Sequence, residues 1–120
     1  MLAGVSNVWV PVSNMDRALG FYRDVLGLAL KMESPEWSEF EAGGLSIGLN
    51  ARESAASSGG GSGGAVITFQ PEAGIEAEVQ RLEGQGVEFT GGVSSYDWGS
   101  VAPFRDSEGN DLQLYAPPSD

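Results

Sequence analysis

The sequence predicts an α+β fold made of two β-α-β-β-β modules. Three observations predict it: an alternating strand runs into a helical stretch at the amino end, the same order of elements returns in the second half, and a Gly/Ser run separates the halves.

The first strand is "SNVWVPVS", residues 6–13. Successive side chains of a strand point to opposite faces, so Val8, Val10 and Val12 share one side and Asn7, Trp9 and Pro11 the other. The valine side reads as core. The face of amide, indole and pyrrolidine does not. In "SNMDRALGFYRDVLGL", Ser13 or Asn14 is placed to cap a helix, and Asp16 follows Ser13 by three residues, as in a capping box. Ala18, Leu19, Tyr22, Val25 and Leu26 recur at helical spacing, and Gly27 supplies the stop. "LALKME", "EWSEFEA" and "LSIGLN" then read as three strands, divided by Ser34-Pro35 and by Gly43-Gly44.

Next comes "ESAASSGGGSGG", a composition too poor in apolar groups to hold one conformation. Beyond it "AVITFQ" is a strand, and Ile75, Val79 and Leu82 mark a helix that ends near Gly84 and Gly86. "VEFTGG", "WGSVAPFR" and "DLQLYA" read as three further strands. Aligning the two helix ends, Gly27 on Gly86, sets Asn7 on Val66, Trp9 on Thr68 and Pro11 on Gln70. The expected organisation is one domain over 1–120, with module one at 1–52, a flexible connector at 53–64 and module two at 65–120.

Composition excludes several kinds of chemistry. The 120 residues contain no cysteine, hence no disulfide, thiolate nucleophile or Cys-ligated metal. They contain no histidine either, which removes the commonest general base and the commonest nitrogen ligand for transition metals. Seventeen acidic against six basic residues give a net charge of −11, which opposes phosphate backbones and anionic lipid and favours a cationic partner. The same acidity also serves plain solubility. No nucleic-acid or membrane partner is expected. The amino end lacks a basic n-region and no apolar run approaches the length of a membrane span, so the expected location is the cytoplasm.

With these elements in place, "NVWVPVSNMDRALGFYRDVLGL", the repeated module and the closing "FRDSEGNDLQLYAP" together resemble the vicinal oxygen chelate superfamily of glyoxalases, bleomycin-resistance proteins, fosfomycin-resistance enzymes and extradiol dioxygenases. The resemblance covers nearly the whole chain. It implies a cup-shaped, partly closed sheet, whose inner wall in the enzymes carries four metal ligands, typically two histidines and two carboxylates. On this chain those positions fall on Asn7, Gly48, Val66 and Gln113. Two neutral amides, a glycine and a valine offer no charge to offset the dehydration of a divalent ion. No metal and no other cofactor is therefore expected, and no catalytic residue is assigned.

The resemblance instead points to the metal-free, bleomycin-resistance-like members, which sequester a small molecule. The expected ligand-binding residues are Asn7, Trp9, Trp37, Phe40, Gly48, Val66, Tyr96, Trp98, Phe104 and Gln113. Aromatic faces stack flat groups and attract cations, and amides on a cavity wall demand hydrogen-bond partners. The expected guest is a small aromatic or cationic molecule, an antibiotic or a metabolite. Glu33, Glu36, Glu39 and Glu41 around Trp37 form either an anionic rim for an amine or a solvated strand face. Three alternatives stay open. They are a metal-independent lyase or isomerase with Glu41 or Asp97 as base, a metal enzyme with displaced ligands, and a module that serves only as a dimer partner. A homodimer is expected. "SSGGGSGG" lacks the lysine and the strand-to-helix setting of a phosphate loop, and Asp106 to Asn110 reads as a tight turn.

Overall fold

A computed structural model of the chain describes residues 2–3, 5–52 and 66–118. The chain divides into two compact units, Met1–Gly60 and Gly61–Asp120. The expected connector at 53–64 lies outside the described residues.

The first unit runs β1 (Val8–Pro11), α1 (Met15–Gly20), a π-helical segment (Phe21–Val25), β2 (Ala29–Met32), β3 (Trp37–Ala42) and β4 (Leu45–Asn50). Its sheet has the order β1-β4-β3-β2, with β1 parallel to β4 and the other pairs antiparallel. The parallel pair requires a crossover, which the helix and β2–β3 provide. β1 lies at a sheet edge, where Pro11 withholds no hydrogen bond that an inner strand would need. Asn14 is the helix cap: its Oδ1 accepts from the Arg17 N–H at 3.0 Å. The capping-box reading of Ser13 gives way, because its hydroxyl accepts from Arg17 Nη2 instead. The last helical turns widen, with Leu26 N–H bonded to the Phe21 carbonyl, and Gly27 ends the helix at φ +78°.

Burial follows the period of two. Val12, Phe40, Ile47 and Leu49 are buried on one face of the sheet, against Ala18, Leu19 and Tyr22 of the helix. The Tyr22 and Phe40 rings lie 6.0 Å apart. Full burial of a side chain such as Phe40 is worth about 1.5–3 kcal/mol in transfer terms.

The second unit repeats this plan: β5 (Ile67–Phe69), α2 (Ile75–Gly84), β6 (Ser94–Tyr96), β7 (Gly99–Arg105) and β8 (Asp111–Ala116), in the order β5-β8-β7-β6. Ile75, Leu82, Val87, Ala102, Phe104, Leu112 and Leu114 form its core. The strand expected at "VEFTGG" is a correction. Only Phe89 forms a bridge there, to Phe104, flanked by Thr90 N–H to the Pro103 carbonyl and Arg105 N–H to the Glu88 carbonyl. Gly91-Gly92 then interrupts the pairing, and it resumes as β6 at Ser94.

The turn before β8 is tight, as its sequence predicts. Asp106 Oδ1 accepts from the backbone N–H groups of Glu108 and Asn110 at 2.8 Å each, and Asn110 Nδ2 donates to Asp106 Oδ2 at 2.9 Å. Gly109 adopts φ +84°, open to glycine at no steric cost. Asn110 does not take a positive φ.

A candidate ring-stacking site

The face of the first sheet turned away from the helix carries the chemistry. Strand registers place Trp9 opposite Gly48 and Gly48 opposite Glu39, so indole, glycine and carboxylate form one row across three strands. The next row is Pro11, Asn50 and Trp37. Lys31 shares this face by alternation from Ala29, and its Nζ donates to Ser46 Oγ at 2.7 Å, while a bulge between Leu30 and Met32 sets Met32 opposite Glu39.

Trp37 lies against Gly48. A Cβ at Gly48 would stand 2.5 Å from Trp37 Cη2 and still closer to Cζ2, so the ring occupies the space that any side chain there would take. The indole is oriented by its own Nε1–H, which donates to Glu39 Oε2 at 2.8 Å. Its strand is anchored by Ser34, whose hydroxyl donates to the Trp37 carbonyl at 2.6 Å. The Arg52 guanidinium stands over the ring, 5.9 Å from its centre, within the range of a cation–π contact. Trp9 remains 43% exposed, so an indole is available on this face beside the Trp37–Glu39 pair.

The second sheet has its own ring cluster. Tyr96 and Trp98 stack at 4.8 Å with 6° between planes, and Tyr115 follows Trp98 at 6.3 Å and 13°. Tyr115 lies against Gly99, whose Cβ would stand 2.7 Å from its Cε1, and donates its hydroxyl proton to the Trp98 carbonyl at 3.0 Å. Tyr96 and Trp98 are more than half exposed. Gln113 is half-buried on the same face, between Thr68 and Pro103.

The residues expected from sequence thus separate into groups. Trp9 and Trp37 share one sheet face around Gly48; Tyr96, Trp98 and Gln113 belong to the face of the other sheet. Gly48 is covered by the Trp37 indole, so a molecule on this face meets the ring and not the glycine. Asn7 and Val66 are exposed residues just ahead of β1 and β5. Phe40 and Phe104 are corrected: both are fully buried, packed on Tyr22 and Phe89 respectively, because their even positions point them to the helix side. Sequence reasoning did not find Arg52, Lys31 or Tyr115. Tyr115 had a usable signal, since it continues the parity of Gln113 within one strand; Arg52 continues that of Gly48 and Asn50 only because pairing runs past the end of β4. An open groove of 610 Å³ lies elsewhere in the first unit, between Met15, Asp16 and Leu19 of α1 and Glu33, Ser34 and Pro35. No aromatic ring lines it, so its volume is a weaker mark of a ligand face than the built Trp37–Glu39 pair.

The donor set does not fit a metal. Among the described residues no three His, Cys, Asp or Glu side chains gather to hold an ion. At the positions suggested by resemblance, Gly48 lies under an indole, Gln113 adjoins Thr68 and Pro103, Asn7 offers a lone exposed amide and Val66 offers no donor atom. Glu41 and Asp97 are exposed carboxylates, open to water rather than set in a desolvated pocket. Among the described residues no helix is long and apolar enough to cross a membrane.

Comparison with known proteins places this arrangement. The profile of the Glyoxalase/Bleomycin resistance protein/Dioxygenase superfamily matches residues 4–114. The structure is similar to that of TnmS3, an antibiotic binding protein from Streptomyces sp. CB03234, with TM-score 0.76, 25% identity and 98% of each chain covered. It is also similar to the fosfomycin resistance protein FosX from Listeria monocytogenes, with TM-score 0.79 at 18% identity, covering 98% of this chain and 96% of that one. A stretch of 50 residues is 36% identical to the metallothiol transferase FosB of Staphylococcus haemolyticus, spanning 42% of this chain and only 36% of that protein. Two β-α-β-β-β units of the same topology, with the family profile matched across both, make this chain a member of the glyoxalase/bleomycin resistance protein/dioxygenase superfamily.

Proposed function

We propose that this protein binds and sequesters a small aromatic or cationic molecule without a metal and without turnover. The observation that carries the reading is the Trp37 indole, held against Gly48 and tied to Glu39, at a position where the resemblance would put a metal ligand. A ring and a carboxylate at one point suit a flat guest with positive charge: the ring supplies stacking and quadrupole attraction, the carboxylate a charge-assisted acceptor. The net charge of −11 raises the local concentration of such a guest. The exposed Trp9 extends the aromatic surface of that sheet face, and similarity to an antibiotic binding protein supports a binding role.

The proposal includes a homodimer. Native mass spectrometry of the purified protein, alone and with a panel of aromatic amines and glycopeptide and polyketide antibiotics, tests it. The proposal expects a metal-free dimer that retains a guest of unchanged mass. A stoichiometric metal, or a guest whose mass changes with time, overturns it in favour of an enzyme.

A further inference from the structure

We infer that Arg52 is a built-in competitor for the Trp37 ring, and that the natural guest replaces it with a planar cation of the amidinium or guanidinium class. This rests on the binding role proposed above. Arg52 is placed over the ring by its backbone. The Ala51 N–H bonds to the Glu36 carbonyl at 2.9 Å, extending the β3–β4 pairing beyond Trp37, and the Arg52 N–H bonds to Asn50 Oδ1 at 3.1 Å. Both bonds hold the chain where an even-numbered residue projects to the Trp37 side.

Gly48 takes up the Cζ2–Cη2 part of the ring, and the guanidinium stands over the ring itself, 5.9 Å from its centre. A guest that stacks on the ring face under the guanidinium must displace it. The chain has only six basic residues, and one of them covers this ring, so the site is shown holding a flat, delocalised cation from the chain itself. Glu39 sits at the indole edge, where the charge of such a cation finds an acceptor. Arg52 thereby sets a threshold: a neutral aromatic must displace a cation–π contact without replacing its charge, while an aryl amidinium restores it.

Titration of tryptophan fluorescence with benzamidine and with its neutral counterpart benzamide tests the inference, using the wild type, Arg52→Ala, Trp37→Ala and the double variant. The wild type is expected to bind benzamidine more tightly than benzamide. Arg52→Ala should tighten both probes about two- to fivefold, the equivalent of an exposed cation–π contact, and the gain should vanish in the Trp37→Ala background. Equal affinity for the two probes overturns the cation preference. A gain confined to benzamidine and abolished by salt reduces Arg52 to long-range repulsion and overturns its place on the ring. An unchanged or weaker affinity in Arg52→Ala also overturns the inference, while Trp37-dependent binding would keep the proposed site intact. No Trp37-dependent binding of either probe, in the wild type or in Arg52→Ala, contradicts the proposed site itself.

Discussion

The Trp37 ring and Gly48 share one volume: the indole on β3 fills the space over β4 that a side chain at position 48 would need. In the second unit Gly99 also lies against a ring, that of Tyr115, although there the Ala116 carbonyl is nearer still and a φ of +141° itself favours glycine. In both sheets a buried glycine admits an aromatic ring against the backbone, and at Gly48 the ring alone accounts for the missing side chain.

Gly48→Ala should therefore push the indole off its seat. The expected cost is about 1–3 kcal/mol, typical of inserting a methyl group where no space exists. Urea unfolding measures it, and near-UV circular dichroism should report a changed tryptophan environment.

Phe40 and Trp37 belong to opposite faces of the same strand, and their substitutions should separate. Phe40→Ala is expected to lose about 3–5 kcal/mol of stability, as a fully buried ring leaves a cavity. Ligand affinity of the fraction that stays folded should be unaltered. Trp37→Ala should reverse this balance, with a smaller stability loss and loss of ligand binding by calorimetry.

Glu39→Gln keeps an acceptor for Trp37 Nε1–H and removes the charge. Affinity for a cationic aromatic guest should fall about tenfold, corresponding to a charge-assisted bond reduced to a neutral one, while a neutral guest of the same shape is little affected. Equal losses for both guests would show that Glu39 acts only by orienting the ring.

Asp106 holds the last turn by accepting from two backbone N–H groups and the Asn110 amide. Asp106→Ala takes this acceptor from the buried Asn110 donors and the half-buried Glu108 N–H and should cost about 1–3 kcal/mol in thermal or urea unfolding. Asp106→Asn, which retains one carboxamide oxygen, should recover part of it.

Much of this fold was legible from local chemistry. The valine alternation in β1, Gly27 as helix stop, the Gly43-Gly44 turn and the Asp106–Gly109–Asn110 turn each encode their geometry within a few residues. The alignment of Trp9 with Thr68 also holds in register, since Trp9 pairs with Gly48 as Thr68 pairs with Gln113. The broken strand at "VEFTGG" was not legible, because Val87 and Phe89 alternate as a strand should and only the partner β7 determines where pairing stops.

The site was harder to read for a similar reason. Aromatic residues carry the same composition signal on either face, so Phe40 and Phe104 looked like Trp37 until strand parity assigned them to the core. The placement of Arg52 on Trp37 depends on pairing that continues past the end of β4, which no spacing rule announces.

The most direct test of the central claim is isothermal titration of the wild type and Trp37→Ala with a planar aromatic cation, in buffer containing a metal chelator. Saturable binding that chelation leaves unchanged and that Trp37→Ala abolishes is the predicted result. Binding that requires an added divalent metal, or that survives loss of the indole, would contradict a metal-free ring-stacking site.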